Sequence, residues 1–202
     1  MSQVPGEKFT HEAEERIHDK KFILSAAVIA AILLGVGAGK AYAQNIEARA
    51  DFVSCGKTFI TGVALLTERA SEEGVKLVDV SIFINGLSDG KHAVHIHETG
   101  NCTPCSAANG HFDPGPAGDS RPDANHPFHS GDLVNVNVVN GEGLMQTTTS
   151  RITLSPGPLS AFPDGGTAII IHTDPDTYCP NGEVAGCAGG TREACGIIQL
   201  RK

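Results

Sequence analysis

Signatures of nucleotide chemistry are missing from this chain. Its 202 residues contain no Walker motif and no G-x-G-x-x-G loop. Phosphate cradling therefore lacks its usual sequence supports. Basic charge is also short. The 15 Lys and Arg face 23 Asp and Glu, a formal net charge of −8, which is a poor balance for binding nucleic acid. Apolar periodicity of the helical kind is weak throughout, which argues against a helical core.

The first 43 residues do not read as part of a fold. Lys20 and Lys21 precede the apolar run "FILSAAVIAAILL", and "AYA" at Ala41 to Ala43 offers small residues for cleavage before Gln44. This pattern predicts a signal peptide over 1–43. An uncleaved N-terminal anchor is the alternative, although the run barely reaches the ~18 residues a spanning helix needs. Residues 44–202 then form one domain, with a core of ordinary size for that length. All six cysteines lie in this part, which suits disulfides and an oxidising compartment. A periplasmic or secreted protein is expected, off the membrane after cleavage.

Period-two alternation recurs along the domain. "FITGVALLTE" and "KLVDVSIFINGL" are separated by "EEG"; "DLVNVNVV" turns at "NGEG" and returns through "LMQTTTSRITL". "GTAIIIHT" is a continuous apolar run, and "GIIQL" closes the chain. Short strands punctuated by turn signals predict an all-β antiparallel sandwich or barrel. Two long stretches rich in Gly and Pro interrupt it, Thr99 to about Ser130 and Thr173 to about Glu193. Loops of that length in a compact domain tend to be functional, and each follows a strand that ends in histidine.

The domain holds seven histidines: 92, 95, 97, 111, 126, 129 and 172. In "KHAVHIHETGNC", read as one strand, His95 and His97 share a face opposite His92, Val94 and Ile96. Two imidazoles side by side, backed by aliphatics, form half of a metal site on the outside of a sheet. "HPFHSGDL" adds His126, His129 and Asp132. Imidazole with carboxylate suits tetrahedral zinc, whereas a set of imidazoles alone suits copper as well.

Five pieces, in order, make the chain similar to a known family. "GLSDGKHAVHIHETG", "GHFDP", "HSGDL", "IIIHTDPD" and "GTREACGII" resemble the copper/zinc superoxide dismutases, in their secreted bacterial type. The resemblance implies an immunoglobulin-like Greek-key sandwich or barrel with two long functional loops. It implies a superoxide dismutase, an oxidoreductase that disproportionates superoxide to dioxygen and hydrogen peroxide by copper redox cycling. A secreted copper-binding or copper-delivery domain on the same fold, without that activity, is the alternative.

Carried over by residue, the resemblance places copper on His95, His97, His111 and His172. His111 would bridge to zinc and carry the proton handed to the peroxide, and zinc would also take His129 and Asp132. Asp176 matches the acid that links a zinc histidine to a copper histidine, and Arg192 matches the arginine beside the copper. His92 reads as a structural, hydrogen-bonded histidine. One departure stands out: where the family has its remaining zinc histidine, this chain has Asp119. Either a rewound loop brings His126 to zinc, the preferred reading, or the site is copper-only. The family usually adds lysines to the second long loop, but here residues 173–191 hold no Lys or Arg. The resemblance also implies a disulfide from Cys195 to Cys102, with Cys105 as the alternative partner. Cys179 and Cys187, close in sequence, would staple the second loop, leaving Cys55 and Cys105 as a third pair. Superoxide is the expected partner, with no nucleic acid, and a homodimer stays open.

Overall fold

The computed structural model describes residues 45–201; the expected signal segment, 1–43, lies outside the described residues. Ten strands form one antiparallel sheet system: β1 Ile46–Ser54, β2 Thr61–Ala70, β3 Lys76–Asn85, β4 Gly90–His92, β5 Val94–His97, β6 Val136–Val139, β7 Glu142–Thr149, β8 Ala168–His172, β9 Arg192–Ile197 and β10 Gln199–Leu200. Their order is β4-β6-β7-β3-β2-β1-β9-β8-β5, with β10 also on β1. The two end strands, β4 and β5, are consecutive pieces of one chain segment, so the sheet nearly closes on itself as a Greek-key β-barrel. Closure removes most of the free edge that an open sheet would expose.

Each strand follows from its side-chain alternation. In β3, Val78, Val80, Ile82 and Ile84 point into the core while their neighbours face out. At the β6–β7 turn, Asn140 and Gly141 both take positive φ, 54° and 78°, as a type I′ hairpin turn demands. Strand β1 carries a subtler pattern. Its inward residues include Ala48 and Ala50, alternating with the charged Glu47, Arg49 and Asp51, a signal weak enough to escape a search for alternating large apolars.

The histidine segment is not one strand. Ala93 separates β4, paired to β6, from β5, paired to β8. The expected alternation nevertheless holds across β5: Val94 and Ile96 enter the barrel core. His95 and His97 lie on the other face, and they too are fully buried. The continuous apolar run of β8 has the same cause. Ile169 and Ile171 join the core, while Ala168 and Ile170 pack outside it with Cys105, Ala108 and Cys195.

What covers that outer face is the first long loop. It contains a short 3-10 turn, Cys105–Ala108, and it pairs with the edge of β5 that β8 leaves free. Ile96 N–H donates to the Gly131 carbonyl at 2.9 Å, and Phe112 N–H to the Ile96 carbonyl at 2.8 Å. His97 thereby faces His111, and His95 faces Asp132, across isolated bridges. Gly131 has no substitute here, because a Cβ at that position would lie 2.3 Å from the Ile96 carbonyl oxygen.

Three disulfides fasten the loops: Cys55–Cys105, Cys102–Cys195 and Cys179–Cys187. Cys195 is thus paired with Cys102, and Cys105 with Cys55. The Cys102–Cys195 bridge closes a sequence separation of 93 residues, for which the chain-entropy model gives roughly 4–5 kcal/mol of stabilisation. Replacing both by alanine should lower unfolding stability by about that amount in urea titrations of the metal-free protein. A loss below about 1 kcal/mol would show that the loop is held by other means.

Candidate metal centre

Four buried histidines converge outside the barrel wall. His95 and His97 come from β5, His172 from the end of β8, and His111 from the loop pinned against β5. Each offers one ring nitrogen, and these atoms lie within 4.8 Å of one another. The ring centroids of His95 and His111 are 4.1 Å apart, and those of His97 and His111 are 5.0 Å apart.

The second nitrogen of each ring has an oxygen beside it. His97 Nδ1 lies 2.8 Å from the Asn109 carbonyl, and His172 Nδ1 lies 3.1 Å from that of Gly190. His95 Nε2 is 3.1 Å from Asp176 Oδ2, and His111 Nδ1 is 2.8 Å from Asp132 Oδ1. A nitrogen facing an oxygen acceptor carries the ring proton, so the opposite nitrogen presents a lone pair. Those opposite atoms, His95 Nδ1 and Nε2 of His97, His111 and His172, are buried with no hydrogen-bond partner. Burial lowers the pKa of all four rings, to about 4 for His111 and about 3 for His172, while His95 and His97 are also shifted down. At neutral pH these groups are uncharged bases aimed at one point. An imidazole set of this kind fits copper.

A second set shares His111. Around the Asp132 carboxylate lie Nδ1 of His111 at 2.8 Å, of His129 at 2.9 Å and of His126 at 3.1 Å. The last is close but out of hydrogen-bonding alignment. Atoms of His95, His111, His126 and Asp132 also meet the 4.8 Å criterion; His95 thus borders both sets. Burial would raise the Asp132 pKa, but the three imidazoles outweigh it and hold the carboxyl far below its ordinary range. For His126 burial would lower the pKa; the neighbouring carboxylates of Asp132 and Asp176 reverse the sign and hold it at about 9. Three nitrogens and one carboxylate around a point fit tetrahedral zinc.

Asp176 joins the two sets. Its carboxylate lies 2.8 Å from His126 Nε2 and 3.1 Å from His95 Nε2. Asn135, which sequence reasoning passed over, fixes that acid. Its amide donates to the Asp176 carbonyl at 3.0 Å and accepts the Asp176 N–H at 2.8 Å. The regular alternation of "VNVNVV" hid this role, because outward-facing asparagines read as surface.

The remaining expected residues are placed as follows. His92 is buried away from both sets, with Nδ1 2.8 Å from the His172 carbonyl and Nε2 2.9 Å from that of Ser88. Asp119 is ion-paired with Arg121 at 2.6 Å and belongs to neither set. Arg192 lies opposite His172 in the β8–β9 register. It donates to the Cys105 carbonyl at 2.6 Å and to the Asn109 carbonyl. Asp123, Cys179 and Cys187 also cluster, but the two sulfurs are bonded to each other. Asp123 instead accepts N–H groups of Gly186 and Ala188, tying the two long loops together.

Comparison with known proteins agrees with this geometry. The family model described as Copper/zinc superoxide dismutase (SODC) matches residues 60–198. Superoxide dismutase (Cu-Zn) of Deinococcus radiodurans is 39% identical over 133 residues, 59% of this chain and 69% of its own. Superoxide dismutase (Cu-Zn) 2 of Aquifex aeolicus is 34% identical over 178 residues, covering 86% of this chain and 98% of its own. The crystal structure of a double mutant of a SOD-like protein from Bacillus subtilis superposes with a TM-score of 0.57 at 28% identity, covering 74% of this chain and 95% of that one. The chain belongs to the copper/zinc superoxide dismutase family.

Proposed function

We propose that this protein is a superoxide dismutase, with copper held by His95, His97, His111 and His172 and zinc by His111, His126, His129 and Asp132. The observation that carries the reading is the set of four buried, unpartnered imidazole nitrogens on rings whose other nitrogens are already held. Copper bound there supplies one-electron chemistry, taking an electron from one superoxide and returning it to the next, which zinc has no redox states to do.

The chain's own part is geometry, charge and protons. His111 spans both sets, with Nδ1 toward Asp132 and Nε2 free. Nε2 is the atom at which a proton can be held and passed to a departing peroxide. A neighbouring cation can shift that imidazole's proton affinity. Asp176 keeps the His95 and His126 rings in fixed orientation, as an acid behind metal ligands does. Arg192 supplies positive charge beside the histidines; that charge lowers the proton affinity of both His97 and His172. Its carbonyl partners fix the guanidinium, so it can draw in and orient a small anion. The three disulfides support an oxidising compartment, periplasmic or extracellular, reached through a signal peptide at 1–43.

The structural neighbour from Bacillus subtilis, a SOD-like protein, favours a second reading, copper binding or delivery without turnover. Superoxide consumption by the metal-loaded domain separates the two: turnover by the unmodified protein sets the reference, and stoichiometric copper without turnover selects the second reading. His172→Ala should abolish consumption. Full activity with stoichiometric copper in that variant would overturn the copper assignment.

Arg192→Ala should leave copper content unchanged and lower kcat/KM for superoxide by about 10-fold or more, as removal of a fixed positive group facing developing charge does. Stopped-flow decay at limiting superoxide over a range of ionic strength measures this. An unchanged rate and salt dependence would mean that Arg192 does not serve the anion.

Metal analysis of His126→Ala and Asp119→Ala tests the rewound loop. The first should lose most of its zinc while keeping copper, and the second should keep both. The opposite pattern would return Asp119 to the site, and zinc-free unmodified protein would select the copper-only form.

A further inference from the structure

The second metal set rests on an irregular segment, residues 126–132, that no strand contains. Several of its amide donors have partners. Phe128 N–H goes to the Asn125 carbonyl, Gly131 N–H to that of Phe112, and Ser130 N–H to Asp113. Position 127 has none to give, because proline lacks an N–H. The segment's path is therefore fixed only if its carbonyls are held as well.

Arg151 holds three of them. Its Nη1 donates to the carbonyls of Pro127 and His129, each at 3.0 Å, and its Nη2 donates to that of Asp132 at 3.0 Å. These carbonyls belong to the residue after His126, to His129 and to Asp132, so one guanidinium touches the backbone at two members of the set and next to a third. The fourth member, His111, is pinned separately across from His97. Arg151 itself stands on firm ground. It follows β7 by two residues, β7 is paired to β3 from Glu142 to Thr149, and the Arg151 N–H donates to Thr149 Oγ1 at 3.1 Å.

We infer that Arg151 is a positioning residue for zinc: a clamp from the barrel that shapes the 126–132 turn so that His126, His129 and Asp132 converge. The inference rests on the zinc reading above. The chemistry explains the residue type. A guanidinium is planar, always charged and carries five donors in a rigid fork, so it can engage several carbonyls from one fixed plane. A lysine at 151 would bring the same charge as a single point and could not hold three separated oxygens in one geometry. The role left no pattern in the sequence, since a lone arginine in "TSRITL" reads as an exposed turn residue.

The test compares the metal-loaded unmodified chain with Arg151→Gln and Arg151→Lys. Zinc release to a chromophoric chelator and copper content are read for each. Amide hydrogen exchange is followed in the metal-free proteins. Both variants should release zinc about 10-fold more readily, the scale at which outer partners of metal ligands act. Copper content should be unchanged. Exchange should quicken at residues 128–132 and stay unchanged in β2 and β3. Full retention in Arg151→Lys would show that charge suffices and overturn the clamp. So would unchanged release and exchange in Arg151→Gln, or faster exchange throughout the barrel, which would mark a general loss of stability. If the unmodified protein holds no zinc, the zinc reading fails instead; unchanged exchange at 128–132 in the variants would then refute the clamp separately.

Discussion

Among the described residues, six imidazole nitrogens are buried without a hydrogen-bond partner, and the rest of the domain is arranged around that fact. A buried polar group left unpaired costs about 1–3 kcal/mol. Six of them approach the whole 5–15 kcal/mol by which a domain is stable. For four of them protonation is no escape, because burial disfavours the charged rings of His95, His97, His111 and His172. A cation that accepts the lone pairs removes the penalty, so metal binding and folding are linked. Disulfides stabilise the same fold independently of any metal.

The barrel supplies only half of this arrangement. A strand can place two histidines on one face, as β5 does, but it cannot surround a point. The first long loop completes the circle by pairing with the free edge of β5, bringing His111 opposite His97 and Asp132 opposite His95. Covering an edge and building a site are here one act. The second loop then folds over through Asp176, which touches a ring from each set, and is tied to the first through Asp123.

Much of this was legible in the sequence because it depends on period and residue type. Alternation gave the strands, and imidazoles with a carboxylate gave the chemistry. The resemblance ordered them. Other features were hidden for physical reasons. Strand β1 buries Ala48 and Ala50, whose small side chains carry little hydrophobic signal. The break at Ala93 reflects a change of pairing partner, which no local pattern encodes. His126 reaches the site through an irregular turn, and spacing along a chain does not determine distance across a turn. Asn135 and Arg151 act on backbone atoms, so no complementary side chain marks them.

The distribution of charge fits a site that works at short range. The chain is net acidic, and the segment between His172 and Arg192 adds Asp174, Asp176 and Glu183 without a single Lys or Arg. At physiological salt, exposed charges are screened beyond roughly 8 Å, so distant acidic groups on the barrel repel an approaching anion little. Near the histidines stands Arg192, half-buried, with two carbonyls fixing its guanidinium. Burial strengthens the field of such a charge by removing water around it, and it also lowers the arginine's own pKa. The carbonyls of Cys105 and Asn109 offset that cost, and Cys105 is itself held by its disulfide to Cys55. Positive charge at the site thus depends on the same loop that carries His111, so attraction and metal geometry stand or fall together.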